Sequence, residues 1–250
     1  MSLVVGFPCC DGVVIACDLA STARVNGSLT RQKFFCDKFV VSPAGQWSCA
    51  WAGSRASIIA ATKLGLVFGQ SSAENRLSQP QLMEEMQKIG DQAFRERLQE
   101  DPNLSETSAC LIAYDHGPGT ASSPVGLYEL SISSTSTCTR IRTGTPKYLG
   151  DYANPAAFFG WSLYGGLFLR RHALVEDCAF LAGFIITAAH NFNPMAVDGL
   201  AVMVCTPNSF TTLDETLTDE IKQQSDEIGK GIWANLHAKS KSFAARIHSL

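Results

Sequence analysis

The first eighteen residues of the chain constrain its fold most strongly. Residues 2–7 and 13–18 are nearly continuous runs of apolar side chains, and the short turn sequence Pro8-Cys9-Cys10-Asp11-Gly12 separates them. Such runs, bounded by turn residues, predict two paired strands that are buried on both faces. A sheet that is buried on both faces needs a covering layer on each side, so we expect a fold of several stacked layers.

The rest of the chain alternates groups of strands with pairs of helices. Further strands are predicted at 33–36, 39–41, 47–52, 109–114, 125–132, 138–141 and 200–205. Helices are predicted at 54–68, from 78 onward, at 155–171 and at 175–191, and a polar helical tail covers about 212–250. Ser54 and Ser78 are suited to cap the first two helices. This order predicts an α+β protein built as a four-layer αββα sandwich, with residues 1–250 forming a single domain.

Composition excludes several classes of function. The net charge of −3 and the absence of a basic cluster argue against a nucleic-acid-binding protein. Only 17% of the residues are charged, below the roughly 25% usual for soluble domains, so we expect partner subunits to cover part of the surface. The longest charge-free apolar stretches, 156–169 and 178–189, are shorter than the roughly 18 residues needed to span a bilayer. The N-terminus lacks the basic segment of a signal peptide, so we expect a cytoplasmic protein without membrane association.

No pattern in the sequence predicts a metal or a cofactor. The nine cysteines include no Cys-x-x-Cys pair and are expected to be reduced and structural. The five histidines do not have the spacing of a metal site. Phosphate-binding and dinucleotide-binding glycine motifs are absent, as are zinc-protease and serine-elbow motifs.

Ser2 is the first candidate for chemistry because of its position. Removal of Met1 would leave a residue that carries both a hydroxyl group and a free α-amine. An α-amine with a pKa near 8 can accept the hydroxyl proton directly or through one water, so nucleophile and base would belong to one residue. The alternative is that Ser2 has no special role, since Met-Ser starts are common.

Asp18 and Lys33 are candidate partners for Ser2. Asp18 ends the second strand of the predicted hairpin, so antiparallel pairing would bring it back toward the N-terminus. Lys33 begins the next strand-like run, and a lysine close to a hydroxyl favours the ionised nucleophile. Taken separately, Asp18 is equally a turn residue at a strand end, and Lys33 a solvated charge at a strand edge.

These residues occur within a longer pattern: Ser2-Leu-Val-Val-Gly-Phe, then Asp11-Gly-Val-Val-Ile-Ala-Cys-Asp18, then Lys33, then Ala52-Gly53. This pattern resembles the start of a mature proteasome β-type subunit, a member of the N-terminal-nucleophile hydrolases. The match is dense over about the first fifty-five residues. The resemblance implies the same αββα sandwich, assembly into stacked rings and active sites that face an inner chamber.

The resemblance also implies roles for individual residues. Ser2 matches the family's threonine nucleophile, and Asp18 and Lys33 match its acidic and basic partners. Gly53 matches the glycine whose N–H polarises the scissile carbonyl. Leu149-Gly150-Asp151 resembles a Gly-Ser turn that approaches the nucleophile from the second sheet, with Asp151 in place of the serine. Asp198 is a candidate counterpart of a site residue before the last core strand.

The chain departs from the family pattern in three ways. Serine replaces threonine and loses the methyl group that restrains the side chain. One residue is missing between Asp18 and Lys33. We also expect no propeptide before Ser2 and an activation that needs only the loss of Met1, whereas a retained Met1 or an acetyl group would block the amine.

Trp51 and Arg55 are the predicted substrate-binding residues. The resemblance places Trp51, two residues before Gly53, at the floor of the pocket for the residue preceding the cleaved bond. Arg55 lies two residues beyond Gly53. We therefore expect a pocket that is shallow and admits small residues, or is closed. The alternative is that Trp51 only packs in the core.

The sequence therefore predicts a serine or threonine-type endopeptidase of the proteasome-like class that acts on peptides or unfolded proteins inside a homo-oligomeric ring. A regulatory ATPase is a candidate partner. Two alternatives remain open: an amidase or acyltransferase acting on a small amide, and an inactive structural subunit of a ring.

Overall fold

Two antiparallel sheets lie face to face between two pairs of helices in the computed structural model, which describes residues 2–24, 31–69, 76–101, 108–117, 124–150, 155–168, 173–207 and 209–247. Within these ranges the strands are β1 (Leu3–Pro8), β2 (Val13–Cys17), β3 (Ala20–Arg24), β4 (Arg31–Phe35), β5 (Phe39–Val41), β6 (Trp47–Gly53), β7 (Ser108–Asp115), β8 (Val125–Ile132), β9 (Thr137–Ile141), β10 (Lys147–Gly150), β11 (Ala201–Thr206) and β12 (Ser209–Thr212). The helices are α1 (Arg55–Phe68), α2 (Gln79–Glu100), α3 (Pro155–Phe168), α4 (Val175–Phe192) and α5 (Glu215–Ile247).

The predicted N-terminal hairpin is confirmed and forms the centre of the first sheet, whose strand order is β10-β1-β2-β11-β12. Val4 pairs with Cys17 and Pro8 with Val13, and every residue of β1 and β2 is buried. The Cys9 N–H donates to the Gly12 carbonyl at 2.8 Å and closes the turn. This pairing register brings the residues just after Cys17 back to the start of β1.

The second sheet has the order β5-β6-β7-β8-β9, so sequence neighbours are neighbours in space. Strands β3 and β4 form a separate two-stranded hairpin in which Ala20 pairs with Phe35. The short strands β3, β10 and β12 were not predicted from the sequence. These strands are short and hold few large apolar residues, which weakens the apolar signal on which strand prediction depends.

Apolar side chains fill three layers between these elements. Val4, Ile15, Ala50 and Leu111 belong to the cluster between the two sheets. A second cluster joins the outer face of the first sheet to α3 and α4, and a third joins the outer face of the second sheet to α1 and α2. The layer order is therefore helix, sheet, sheet, helix, which confirms the predicted αββα sandwich.

Both predicted serines occupy the N-cap positions of the first two helices, and the Ser54 side chain caps its helix directly. Ser54 Oγ accepts the Ala56 N–H at 3.2 Å at the start of α1. At the start of α2 the Ser78 N–H donates to Gln81 Oε1 at 3.1 Å. Among the helices that the structure describes, none combines the length and the apolar character that crossing a bilayer requires.

Candidate active site

A buried lysine joins Ser2 to Asp18. Lys38 Nζ lies 2.9 Å from Ser2 Oγ and 2.8 Å from Asp18 Oδ2, and it also donates to the Ala20 carbonyl. The Lys38 and Asp18 side chains are 2% and 0% exposed, whereas Ser2 is half-buried. The hydroxyl of Ser2 is thus both in contact with a buried ammonium group and open to one side.

Backbone amides hold the Asp18 carboxylate in place. The Leu3 N–H donates to Oδ1 at 2.8 Å and the Ala20 N–H donates to Oδ2 at 3.1 Å. Burial raises the pKa of Asp18, while the Lys38 ammonium and these two amides oppose that rise. As predicted, the β1–β2 hairpin brings Asp18 to the N-terminus.

The structure corrects the identity of the basic residue. Lys38, not Lys33, contacts Ser2 and Asp18. Lys33 lies in the middle of β4, where its backbone pairs with Thr22. The Cys36 N–H donates to the Leu19 carbonyl at 3.0 Å, so the β3–β4 hairpin returns the chain to Asp18 only after residue 35. A hairpin can lengthen without moving its ends, so the start of a strand-like run and a match to the family pattern do not identify the lysine that returns to Asp18.

A sequence signal for the β3–β4 hairpin exists in the dipeptide Asn26-Gly27. Asn-Gly is the sequence most typical of tight hairpin turns. A tight turn there would place residues 34–36 opposite residues 17–19, whereas the observed pairing of Ala20 with Phe35 places residues 36–38 there, so the dipeptide indicates the hairpin but does not identify the lysine. Lys38 also directly precedes the apolar strand β5, and its burial depends on its pairing with Asp18.

Gly150 packs directly against Ser2. It pairs with Leu3 across β1 and β10 and has φ +84°, a conformation that favours glycine. A Cβ at Gly150 would overlap the Ser2 carbonyl oxygen and lie 3.4 Å from the Ala52 Cβ. The turn was expected to approach from the second sheet, but β10 belongs to the same sheet as Ser2 because it is the edge strand beside β1. Asp151 lies outside the described residues.

Gly53 ends β6 on the other side of this contact. It is exposed, has φ +104° and follows Ala52, which reaches Gly150. The Ser54 N–H donates to Ser108 Oγ at 3.0 Å, which anchors the step from β6 into α1. Gly53 therefore lies at the junction of β6 and the capped helix α1, next to the residue that approaches Gly150.

Trp51 and Arg55 lie on opposite sides of Gly53. Trp51 is half-buried and packs against the cluster beneath α1 and α2. The Arg55 side chain is 68% exposed and lies 3.6 Å from Glu100 on α2. The Trp51 side chain thus packs on the helix-covered side of the second sheet, and the role of both residues toward a substrate stays a prediction.

Asp198 makes hydrogen bonds to the backbone next to the candidate site. Its carbonyl accepts the Leu19 N–H at 2.8 Å and the Ala20 N–H at 3.0 Å. Its Oδ1 accepts the Gly199 N–H at 2.8 Å and lies 3.4 Å from His190 Nδ1. Asp198 therefore holds the backbone that carries Ala20, whose carbonyl is an acceptor for Lys38.

The arrangement is suited to nucleophilic chemistry. An ammonium group within hydrogen-bond distance of a hydroxyl stabilises the alkoxide form, and a fixed carboxylate keeps the ammonium in position. No group of three or more potential metal ligands is found within the residues that the structure describes.

Comparison with known proteins identifies the fold. No protein-family model and no curated protein sequence match this chain. Among solved structures, Anbu from Yersinia bercovieri, described as an ancestral beta-subunit, aligns with a TM-score of 0.64 and 13% identity over 93% of this chain and 97% of that one. Anbu from Hyphomicrobium sp. strain MC1 aligns with a TM-score of 0.63 and 11% identity over 93% and 97% of the two chains. A Gly-1 mutant of the Hyphomicrobium protein aligns with a TM-score of 0.60 and 11% identity over 95% and 100%. The chain therefore has the proteasome-like N-terminal-nucleophile hydrolase fold.

Proposed function

We propose that this chain is a peptidase that cleaves peptide bonds through an acyl-enzyme on Ser2. The observation that carries the proposal is the contact of 2.9 Å between Lys38 Nζ and Ser2 Oγ, with Asp18 holding the lysine. A buried cation in contact with a half-exposed hydroxyl has little structural purpose, because burying two ionised groups costs several kcal/mol each. A catalytic role of the lysine accounts for its position beside the hydroxyl.

The first step forms an ester. Ser2 Oγ attacks the scissile carbonyl carbon, and its proton passes to the α-amine of the same residue. Lys38 stabilises the developing negative charge on Oγ, and the Gly53 N–H donates to the oxyanion of the tetrahedral intermediate. Such an oxyanion donor contributes about 10²–10³ in rate. Collapse of the intermediate breaks the C–N bond, and the amine proton is transferred to the leaving nitrogen.

The second step regenerates the enzyme. The α-amine accepts a proton from water, whose oxygen attacks the ester carbonyl through the same oxyanion contact. The C–O bond to Ser2 breaks, Oγ recovers its proton, and the carboxylic acid product leaves. Both steps need a free Ser2 amine, so the activity depends on removal of Met1.

Labelling with a peptide epoxyketone tests the proposal, because this electrophile bonds to both the hydroxyl and the amine of an N-terminal nucleophile. We expect one adduct on the Ser2 peptide, an intact mass that lacks Met1, and turnover of fluorogenic peptides. The Ser2→Ala variant should lose both adduct and turnover. An unlabelled protein that retains Met1 would contradict the proposal and favour the structural subunit.

Substrate size separates the peptidase from the amidase alternative. A peptidase should degrade an unfolded protein such as reduced casein into short peptides. Turnover confined to a small amide, or transfer of the acyl group to an added amine in place of water, would instead support the amidase or acyltransferase.

We also propose that the active form is a homo-oligomeric ring in the cytoplasm, fed by a regulatory ATPase. Large exposed apolar side chains on α3 support an assembly, because Phe158 is 81% and Trp161 52% exposed, and such surface is commonly covered by partner subunits. Light scattering tests the assembly. A particle of 26.9 kDa, the mass of one chain, would contradict it.

A further inference from the structure

Helix α5 carries opposite charges on its two halves. Residues 215–227 hold five carboxylates and one lysine, and we call them the acidic half. Residues 228–250, the basic half, hold three lysines, one arginine and no carboxylate. One continuous helix runs from Glu215 to Ile247, so the acidic and basic halves belong to the same helix.

The two halves of α5 also differ in packing. Ile221 and Ser225 in the acidic half are buried against the body of the protein. Ile228 and Ile232 at the start of the basic half are each 41% exposed. After Ile232, apolar residues follow at Leu236, Phe243 and Ile247, at intervals of four, seven and four residues. This spacing is typical of a helix with one apolar face.

An apolar groove of complementary charge lies at the base of α5. A cavity of about 500 Å³ between α3, α4 and α5 is lined by Leu167 and Phe184 and has Glu176 at its rim. A second cavity of about 380 Å³ between α4, α5 and β11 shares Glu176 and Phe180 with the first and adds Glu220. We call the two cavities together the α4 groove. It offers an apolar floor with carboxylates at the edge, as a basic amphipathic helix requires.

Ile228, the first residue of the basic half, lines the α4 groove of its own chain. From Ile228, nineteen residues of continuous helix carry Ile247 about 29 Å further along the axis. A continuous helix does not fold back on itself, so the residues around Lys239 and Lys241 do not return to the groove that Ile228 lines. The basic half of a second copy of the chain is not tied to this groove by a continuous helix, so it can enter the groove.

We propose that the basic half of α5 docks in the α4 groove of a second copy of this chain. Two copies seated in each other's grooves place their α5 helices antiparallel, so that each basic half lies along the partner's acidic half. Such a contact is self-complementary, as two-fold interfaces are. The inference does not depend on the activity of Ser2, since none of its residues belongs to the candidate active site.

Two charge-reversed proteins test the proposal by mixing. The helix variant is K239E/K241E, and the groove variant is E176K/E220K. Each should associate at least tenfold more weakly than the unchanged chain in sedimentation velocity. Mixed in equal amounts, the two variants should associate again. The acidic helix of the helix variant then meets the basic groove of the groove variant. In the second contact, the unchanged helix of the groove variant meets the unchanged groove of the helix variant. The control K88E/R95E alters the charge as much as K239E/K241E does, on α2, and should behave like the unchanged chain.

Cross-linking shows whether the contact joins two chains. A carbodiimide links carboxylates to lysines at zero length, and it is applied to a mixture of ¹⁴N-labelled and ¹⁵N-labelled full-length protein. We expect mixed-isotope peptides that join Glu176 or Glu220 to Lys239 or Lys241. Cross-links between these residues in single-isotope peptides alone would overturn the proposal.

Three further results would also overturn the proposal. One is failure of the mixed variants to associate while circular dichroism shows both folded. Another is association that K239E/K241E leaves unchanged. The third is a monomeric chain whose basic half binds vesicles of phosphatidylserine, because a basic amphipathic helix can also lie on an anionic membrane.

Discussion

The Lys38 ammonium and the Asp18 carboxylate form an ion pair of 2.8 Å, and neither side chain reaches solvent. The pair connects two distant parts of the chain, the end of the first hairpin and the return of the β3–β4 hairpin. Because the third contact of Lys38 is the Ser2 hydroxyl, the pair places a positive charge where the proposed nucleophile needs it. The first two predictions follow from this geometry.

Lys38→Met is expected to lower peptidase activity by about 10²–10⁴-fold, because the alkoxide of Ser2 loses its neighbouring cation. Lys33→Met is the matched control and should change activity less than twofold. Initial rates with a fluorogenic peptide measure both. Equal losses in the two variants would contradict the assignment of the role to Lys38.

Removing both partners of the buried pair is expected to cost less stability than the two single removals added together. Asp18→Asn and Lys38→Met should each lower the free energy of unfolding by about 3–5 kcal/mol, because each leaves a group without its buried partner. The double variant should lose at least 1 kcal/mol less than the sum of the two, within the range known for residues in contact. Urea denaturation of all four proteins at pH 7 measures this. Strict additivity would mean that the two groups do not interact.

Gly150→Ala is expected to lower both stability and activity. The φ of +84° costs an alanine about 1–2 kcal/mol, and overlap of the Cβ with the Ser2 carbonyl adds about 1–3 kcal/mol. Gly144→Ala is the control, since its φ is +83° and a Cβ there has no atom within 4 Å. Denaturation and peptide turnover should show a larger loss at Gly150 and a loss of activity there alone. Equal effects would show that Gly150 does not position Ser2.

The stability of the protein is expected to fall as the pH drops from about 7 to about 5, because of His116. Its Nε2 lies 2.5 Å from the Tyr128 hydroxyl in a buried site, and burial, with help from Arg140, lowers the pKa of His116. The unfolded chain binds a proton near pH 6.5 that the folded chain excludes, so acid favours unfolding. His116→Gln should reduce this slope. Urea denaturation of both proteins at several pH values measures the difference between their slopes. Because Asp18 titrates in both proteins, its contribution cancels in this difference. Parallel slopes would refute the prediction.

Trp51→Ala is expected to extend cleavage to peptides with large aromatic residues before the scissile bond, provided that Trp51 closes the substrate pocket. A panel of fluorogenic peptides, with the unchanged chain as reference, measures this preference. The chain itself should prefer small residues in the same panel. A variant that is less stable and keeps its preference would show that Trp51 only packs against the cluster under α1 and α2.

The layers of the fold follow from local patterns in the sequence. The apolar runs at both ends of the Pro8-Gly12 turn predict the central hairpin, because a strand buried on both faces has no polar positions. Ser54 and Ser78 predict where α1 and α2 begin, because capping involves residues only two to three positions apart. The pairing of these strands also places Asp18 beside the N-terminus. Strands β3, β10 and β12 escaped prediction because they lack such a pattern.

The sequence by itself therefore determined the αββα layers, the hairpin that carries Ser2 and Asp18, and the need for a lysine beside them. Only the tertiary structure decided that this lysine is Lys38 and that Gly150 approaches from the same sheet. The physical reason is that local patterns report short-range contacts, whereas the length of a hairpin and the neighbour of an edge strand are set by pairing across the chain.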